Sequence, residues 1–346
     1  MSMMLQRLNG SLAAREDAME RTIMLVGVIT ATLISTVNAF ILLVLITNWN
    51  VIQRQCRNRA CLLITCNLCS ADLFLGLICI YYILSLRLDG LHEYLGQHKI
   101  LCVMTLHLVI MVYMASGFTL VSIALERYIY ILYPLRHTEL LNTRRTFLMI
   151  STVWTAAFLG SCPLQLWNNW EDGRSNVCDD VHIIPITYSI IGTTSRVVFI
   201  TVVITVFHWR VHRVAIEVRN RKTPMSTITA LRTRSARVVL IIFFTYVGSS
   251  APFLVMLLCI KYDIYVPPIC FQISRCVYNI NYIVNPFVYI FCNRSIGHII
   301  FQILKTWKAK YIFWKSRNRE EAHSTSPCVI HPQTSSSIRD PGSSVR

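Results

Sequence analysis

Long apolar segments alternate with short polar ones along most of the chain. A helix needs about 20 predominantly apolar residues to cross the hydrocarbon core of a bilayer. Seven segments meet that length, at roughly residues 22–47, 60–86, 100–131, 145–167, 183–208, 236–260 and 267–292. Several are longer than a bilayer needs, so tilted helices are expected. The pattern predicts an all-α protein, a seven-transmembrane helix bundle, and shows no internal repeat.

Polar segments precede and follow the predicted helical domain, which covers residues 22–293. Residues 1–21 contain no short apolar region, so they predict an extracellular N-terminal segment without a cleavable signal sequence. In the cytoplasmic segment 294–346, residues 295–307 interleave aromatic residues with lysines. That pattern is typical of a short amphipathic helix on the cytoplasmic face of a membrane. The rest of the segment is rich in Ser, Thr and Pro and is predicted to be disordered.

Basic residues are concentrated in every second loop. The net charge is +16, although only 14% of the residues are charged. Arginines and lysines follow spans one, three and five and recur in the tail, whereas the alternate loops are neutral or acidic, as at Asp179 and Asp180. The positive-inside rule then predicts a multi-pass plasma-membrane protein with its N-terminus outside the cell. This distribution also argues against nucleic acid as a partner.

Three motifs stand at the ends or centres of predicted spans. Glu126-Arg127-Tyr128 ends span three and is followed by Tyr133-Pro134-Leu135, Asp72 lies in span two, and Asn285-Pro286-Phe287-Val288-Tyr289 ends span seven. Over residues 24–306, their combination and separation resemble those of rhodopsin-like (class A) G-protein-coupled receptors. A weaker resemblance, to odorant-type receptors of fish, suggests a role in olfaction.

The resemblance implies a receptor that couples an extracellular small ligand to a heterotrimeric G protein. Arrestin, receptor kinases and membrane lipids are the further partners that it implies. In such receptors Arg127 is held by Glu126 in the inactive state and is released when span six moves around Pro252. Pro286 frees a backbone carbonyl, which Asn285 is expected to bind.

The chain departs from the family pattern at two positions of span six that take part in activation in related receptors: the tryptophan switch, or trigger, and the acidic residue of the cytoplasmic ion pair, or inner lock. Ser250 stands where most relatives carry a tryptophan in span six. Arg232 replaces an acidic residue that in some relatives binds the span-three arginine. These departures predict that the usual trigger is absent and that the inner lock is weakened.

Asp72 lies near the middle of span two, where an unpaired carboxylate costs several kcal/mol. One interpretation is a protonated structural acid. The other, implied by the resemblance, is a sodium site formed by Asp72, Ser116, Asn281 and Asn285, whose oxygens suit a hard cation. No other cofactor is expected.

Two cysteines and one asparagine are predicted to be modified outside the cell. Cys102 opens span three and Cys178 lies in an acidic outer loop, so the oxidising exterior favours a disulfide between them. Cys259 and Cys270 flank the last outer loop and could form a second bridge. Asn9 begins an N-glycosylation sequon.

Two positions argue against ligands that related receptors bind. Aminergic receptors carry an aspartate where this chain has Val109, so an ammonium group would lack its counter-ion there. Retinal pigments need a lysine in span seven, and the matching residue is Asn279. Tyr113 lies one turn deeper than Val109 and is expected to point into the bundle.

Two arginines stand at the expected depth of a ligand pocket, Arg196 in span five and Arg275 in span seven. Arginine stays charged and needs a partner in a membrane. One interpretation is that Arg196 binds carbonyls and water while Arg275 pairs with a loop aspartate. The other is that both bind an anionic ligand group, with Tyr113, Phe253 and Tyr278 lining the apolar remainder. The ligand is then a small acid, an acidic lipid or a peptide with a free carboxylate.

A seven-span transporter or channel is the alternative to a receptor. Transporters tend to show repeats and broken helices, and neither is visible here. A membrane enzyme would need a nucleophile with a base, or clustered metal ligands, and the histidines do not cluster in that way. We therefore do not expect an enzyme.

Overall fold

The computed structural model describes residues 2–55, 59–85, 88–133, 135–170, 178–220, 227–292 and 294–324. Within these residues the regular secondary structure is α-helical, as the apolar pattern predicts. In chain order the helices are α1 (Ser2–Thr47), α2 (Trp49–Gln55), α3 (Arg59–Ser85), α4 (Asp89–Gln97), α5 (Lys99–Leu132), α6 (His137–Leu140), α7 (Thr143–Ser161), α8 (Pro163–Leu166), α9 (Asp180–Ile183), α10 (Ile186–Asn220), α11 (Thr227–Lys261), α12 (Pro268–Cys292) and α13 (Arg294–Ser324).

Six helical segments in the described part of the chain are long and apolar enough to cross a membrane. They are Arg21–Thr47, Arg59–Ser85, Lys99–Leu132, Thr143–Leu166, Ile186–Val214 and Phe243–Lys261. The seventh predicted span corresponds to α12, whose 25 residues include Arg275 and several asparagines that lower its mean hydropathy. Large apolar side chains such as Leu148 and Phe244 are 67% and 66% exposed, as expected of helices that face lipid.

Several helix boundaries differ from the predicted spans, and for three of them the sequence provides a reason. α1 begins at Ser2, because strong helix formers dominate the polar segment before the first span. α10 begins at Ile186 instead of residue 183, because Ile184 precedes Pro185 and takes an extended backbone. α13 continues to Ser324, since no proline or glycine interrupts the sequence after residue 307.

α5 occupies the centre of the bundle. It contributes residues to four hydrophobic clusters, which also contain residues of α1, α3, α7, α10, α11 and α12. Polar contacts reinforce this packing: Asn67 of α3 donates to Thr119 of α5 at 2.9 Å and accepts from the indole nitrogen of Trp154 of α7 at 2.9 Å. A helix with neighbours on all sides can connect sites at its two ends.

Asn38 joins α1 to α12 at a proline. Pro286 has no N–H, so the carbonyl of Tyr282 lacks its helical hydrogen bond. Asn38 Nδ2 donates to that carbonyl at 3.1 Å. The sequence had suggested Asn285 for this role, but the Nδ2 atom of Asn285 is buried without a hydrogen-bond partner. The donor comes from another helix because tertiary packing brings α1 against this turn of α12.

A disulfide joins Cys102 to Cys178, as predicted, with the two Cα atoms 5.7 Å apart. It fixes the chain before α9 to the first turn of α5. We call this the disulfide end of the bundle, and the end that carries Glu126 and α6 the Glu126 end. The second bridge is not formed, because Cys259 and Cys270 are both free thiols.

The chain from Ile299 onward forms a separate compact unit, represented here by most of α13. Phe301, Trp307, Phe313 and Trp314 are each at least 50% exposed. The ammonium group of Lys305 lies 4.7 Å from the ring centroid of Phe301. Aromatic and basic side chains on one helix are typical of a membrane-surface segment.

We expect removal of the disulfide, by Cys102→Ser with Cys178→Ser, to lower the melting temperature of the purified protein. The bridge closes a sequence separation of 76 residues. Loop-closure entropy for a loop of that size corresponds to roughly 4 kcal/mol. Cys270→Ser removes an exposed free thiol and is the matched control. Equal melting temperatures for the double variant and the parent would contradict this role.

We expect Asn38→Ala to destabilise the bundle, because it leaves the Tyr282 carbonyl unpaired between helices. An unsatisfied buried group costs roughly 1–3 kcal/mol. Thermal unfolding of the purified protein measures the effect. Thr36→Ala is the control, since the exposed Thr36 hydroxyl donates only within α1. The assignment fails if both variants melt alike.

Candidate functional site

A cavity of about 260 Å³ lies between the helices at the disulfide end. Residues of α1, α3, α5, α10, α11 and α12 form its walls, and Asp180 and Val181 of α9 complete them. All seven residues that the sequence suggested for ligand binding line this cavity, namely Val109, Tyr113, Arg196, Phe253, Arg275, Tyr278 and Asn279. The bundle therefore brings together residues that are up to 170 positions apart in the chain.

Arg275 and Asp180 form an ion pair on the cavity wall, which we call the rim pair. Arg275 Nη2 lies 3.1 Å from Asp180 Oδ2, and the two side chains are 34% and 26% exposed. Tyr82 of α3 donates to Asp180 Oδ1 at 3.2 Å and accepts from the Asp180 amide at 2.8 Å. The rim pair matches the first of the two interpretations for Arg275.

Asp179, the N-cap of α9, and Asp180, its first residue, have pKa values that are shifted in opposite directions. Burial raises the pKa of Asp179, and the adjacent Asp180 carboxylate raises it further. Burial also acts to raise the pKa of Asp180, but the Arg275 guanidinium and nearby hydrogen bonds outweigh it and lower the pKa below its usual value. Asp180 is consequently ionised at neutral pH, so the rim pair is intact there.

Arg196 is buried against the cavity, with only 8% of the residue exposed. Its Nη2 donates to the hydroxyl of Tyr278, and its Nε has no hydrogen-bond partner. No carboxylate in the described part of the chain forms an ion pair with it. A charged guanidinium thus faces the cavity without a counter-ion.

Three tyrosines, Tyr113, Tyr278 and Tyr282, form a cluster beside Arg196. Their ring centroids lie 5.3–5.8 Å apart, and the Tyr282 hydroxyl donates to that of Tyr278 at 3.2 Å. Tyr113 donates to Asn279 Oδ1 at 3.0 Å, so α5 and α12 are joined at this level. Phe253 of α11 packs on Tyr278 with centroids 5.3 Å apart. The cluster and Phe253 thus join α5, α11 and α12 at the cavity wall.

Two further tyrosines at this site, Tyr82 and Tyr282, were not predicted from the sequence. Their hydroxyls stand in otherwise apolar stretches, and a buried hydroxyl in a span needs a partner. That signal applies to many tyrosines here. It therefore could not single out the two that support Asp180 and Tyr278.

The residues suggested for sodium binding are all buried. Asp72, Ser116, Asn281 and Asn285 are at most 3% exposed. Ser116 donates to Asp72 Oδ1, while Asp72 Oδ2 and Asn281 Oδ1 have no hydrogen-bond partner. In the described residues, no group of three His, Cys, Asp or Glu side chains could hold a metal. A cation here would therefore need hydroxyl and amide oxygens beside one carboxylate, a donor set that suits sodium.

The Glu126 end holds a buried cluster of charges. Arg127 Nε lies 3.0 Å from Glu126 Oε2, and His137 Nε2 of α6 lies 3.4 Å from Glu126 Oε1. Arg127 Nη2 also donates to Cys61 Sγ of α3 at 3.0 Å. Glu126 itself is 1% exposed. The arginine is thus held by contacts with its own helix and with α3.

The other residues suggested for activation lie on α5, α11 and α12. The Tyr128 ring stacks on Phe207 of α10, with centroids 5.0 Å apart. Pro252 lies inside α11 and Pro286 inside α12. Ser250, at the position of the missing tryptophan, is buried. The side chains of Tyr289, Arg232 and the sequon residue Asn9 fall outside the described part of the chain.

Most of the chain, including the three motifs at Asp72, Glu126–Tyr128 and Asn285–Tyr289, lies within a match to a known protein family. The model of the family described as 7 transmembrane receptor (rhodopsin family) matches residues 37–289. Adenosine receptor A2b of Homo sapiens is 29% identical over 115 residues, which are 33% of this chain and 33% of that receptor. Octopamine receptor 1 of Lymnaea stagnalis is 29% identical over 149 residues, 41% of this chain and 22% of that receptor. The chain thus spans about a third or less of these curated relatives.

Proposed function

Because the chain belongs to the rhodopsin family of seven-transmembrane receptors, which are not enzymes, we propose that it couples a small ligand in the cavity to a heterotrimeric G protein. The basic loops favour an orientation with the disulfide end outside the cell and the Glu126 end in the cytoplasm. Arrestin and receptor kinases are proposed as further partners that recognise the Ser- and Thr-rich tail. In this orientation the Asn9 sequon is extracellular and is a proposed glycosylation site.

The arrangement of α5 supports this coupling best. The helix carries Tyr113 at the cavity and the Glu126–Arg127 pair thirteen residues later. At 1.5 Å per residue the two sites are about 20 Å apart along one helix. A ligand that changes the packing of α5 against α11 and α12 can therefore alter the contacts of Arg127. Released from Glu126, Arg127 would be available to the G protein.

We also propose that the ligand is small and anionic. The unpaired Arg196 needs a negative partner, and ligand sites for drug-sized molecules have volumes of roughly 300–1,000 Å³. The cavity, at about 260 Å³, favours a smaller molecule over a peptide. An amine of the kind that the name octopamine receptor indicates would meet Arg196 and no free carboxylate, since Val109 replaces the aspartate and Asp180 is paired. A small acidic odorant is compatible with these features.

We expect Arg127→Ala to abolish agonist-stimulated G-protein dissociation at equal surface expression, and Glu126→Ala to raise ligand-independent signalling. The first variant removes the side chain that the G protein would contact, and the second removes its buried partner. A G-protein dissociation assay in intact cells measures both effects. Arg136→Ala is the control, because it removes an exposed arginine from the turn that follows α5. Full agonist signalling by Arg127→Ala would refute the coupling role.

We expect sodium to raise the melting temperature of the purified receptor relative to choline, because a cation between Asp72, Ser116, Asn281 and Asn285 would bind the buried, partly unpaired oxygens. Asp72→Asn removes the charge and nearly preserves the shape, so the difference between the two salts should disappear. Binding to the folded state alone is what stabilises it. If Asp72→Asn remains as sensitive to sodium as the parent, the site is not at Asp72.

A further inference from the structure

The charges on the cavity wall are balanced in only one place. Asp180, Arg196 and Arg275 are the charged residues that line the cavity in the described part of the chain. Arg275 and Asp180 neutralise each other in the rim pair, whereas no carboxylate of the described residues forms an ion pair with Arg196. The wall therefore carries one uncompensated positive charge. It lies at Arg196 and not at the rim.

We propose that the receptor is selective for monocarboxylates, with the carboxylate on Arg196, an uncharged apolar body in the cavity, and the rim pair excluding a second charge. This inference rests on the proposed function, since it names the ligand class of the same cavity. In the earlier interpretation, Arg196 and Arg275 bind the same anionic group. In this proposal only Arg196 binds the ligand, and Arg275, paired with Asp180, disfavours ligands that carry a second charge.

The geometry around Arg196 suits a carboxylate. Arginine can donate two parallel hydrogen bonds to a carboxylate, a match that lysine cannot reproduce. In the described part of the chain, Nη2 donates to the Tyr278 hydroxyl, and the buried Nε has no hydrogen-bond partner. Tyr278 also accepts from Tyr282, so its oxygen is held in place by α12. Tyr278 is therefore a positioning residue that orients the guanidinium.

The rest of the wall is suited to an apolar body. Ile34, Leu106, Ile110, Leu257 and Ile260 line the same cavity, together with aromatic rings. A charged group placed against these side chains would lose its hydration without gaining a partner. The ligand's charge is consequently confined to the end that reaches Arg196.

The rim pair opposes a second charge of either sign. A second carboxylate would have to displace Asp180 from Arg275 and would be repelled by it, and an ammonium group would be repelled by Arg275. Tyr82 holds Asp180 through two further hydrogen bonds, which adds to the cost of displacing it. Specificity of this kind comes from disfavouring the wrong ligand as well as from binding the right one.

Four probes of similar length test the inference: caproate, adipate, ε-aminocaproate and hexanol. Each is added to the purified full-length receptor, and affinity is derived from the rise in melting temperature. We expect caproate to bind, and the other three to bind at least about tenfold more weakly. Arg196→Gln should weaken caproate by at least about 30-fold, the lower range for removing one partner of a buried charge pair. Arg196→Lys should recover only part of that loss.

Two substitutions in the rim pair should each change which probe ligand the receptor prefers. Asp180→Asn leaves Arg275 unpaired, so the affinity for adipate should gain at least about tenfold relative to the affinity for caproate. Arg275→Gln leaves Asp180 unpaired, so ε-aminocaproate should gain instead. The double exchange Asp180→Arg with Arg275→Asp restores a pair and should restore selectivity for caproate. The partial exposure of both side chains makes these substitutions mild for folding.

The inference is overturned if adipate or ε-aminocaproate binds the parent as tightly as caproate does. It is also overturned if Arg196→Gln binds caproate as tightly as the parent, or if neither rim variant changes the order of affinities among the probes. The binding measurement contains no G protein, so it is independent of coupling. Selective binding without G-protein dissociation would refute the coupling proposal alone. G-protein dissociation driven by a neutral ligand and unaffected by Arg196→Gln would refute the monocarboxylate inference alone.

Discussion

Polar groups between membrane helices have no water to bind, so each must find its partner within the protein. This constraint accounts for the contacts on which the bundle depends. The carbonyl freed by Pro286 is bound by a side chain from another helix, a buried carboxylate receives a hydroxyl, and a second carboxylate is shared by two basic side chains. These pairs are Asn38 with Tyr282, Ser116 with Asp72, and Arg127 and His137 with Glu126.

Arg196 is one of the buried side chains that depart from that rule. Its neighbours are tyrosines whose hydroxyls bind it only in part, and no carboxylate of the described chain balances its charge. A buried charge without a partner lowers stability, and such departures are expected at functional sites. The rim pair shows that the same cavity can neutralise an arginine when the fold supplies an aspartate. The cavity therefore has one uncompensated positive charge, at Arg196, and a neutral ion pair at Arg275 and Asp180.

The connection from the cavity to the rest of the bundle differs from the family pattern at one position. Ser250 is small and buried where relatives carry a tryptophan, so a large side chain is missing from α11. The aromatic contact between α11 and the cavity is instead that of Phe253 with Tyr278, the residue that holds Arg196. A ligand anion that shifts Arg196 would therefore act on α11 and α12 together. α5, packed between them and α3, is the helix that extends from there to Glu126.

Hydropathy along the chain was sufficient to predict the helical bundle, and the positions of two cysteines in outer segments predicted the Cys102–Cys178 disulfide, because segment length and loop position are local properties. It also marked Arg196, Arg275, Tyr113 and Tyr278 as polar residues inside apolar spans, and all four line the cavity, but it did not single out Tyr82. It could not decide which arginine is neutralised, or that Asn38 rather than Asn285 binds the carbonyl released by Pro286. Those contacts join residues 95 and 244 positions apart. They depend on which helix faces meet, and only the tertiary structure determines that.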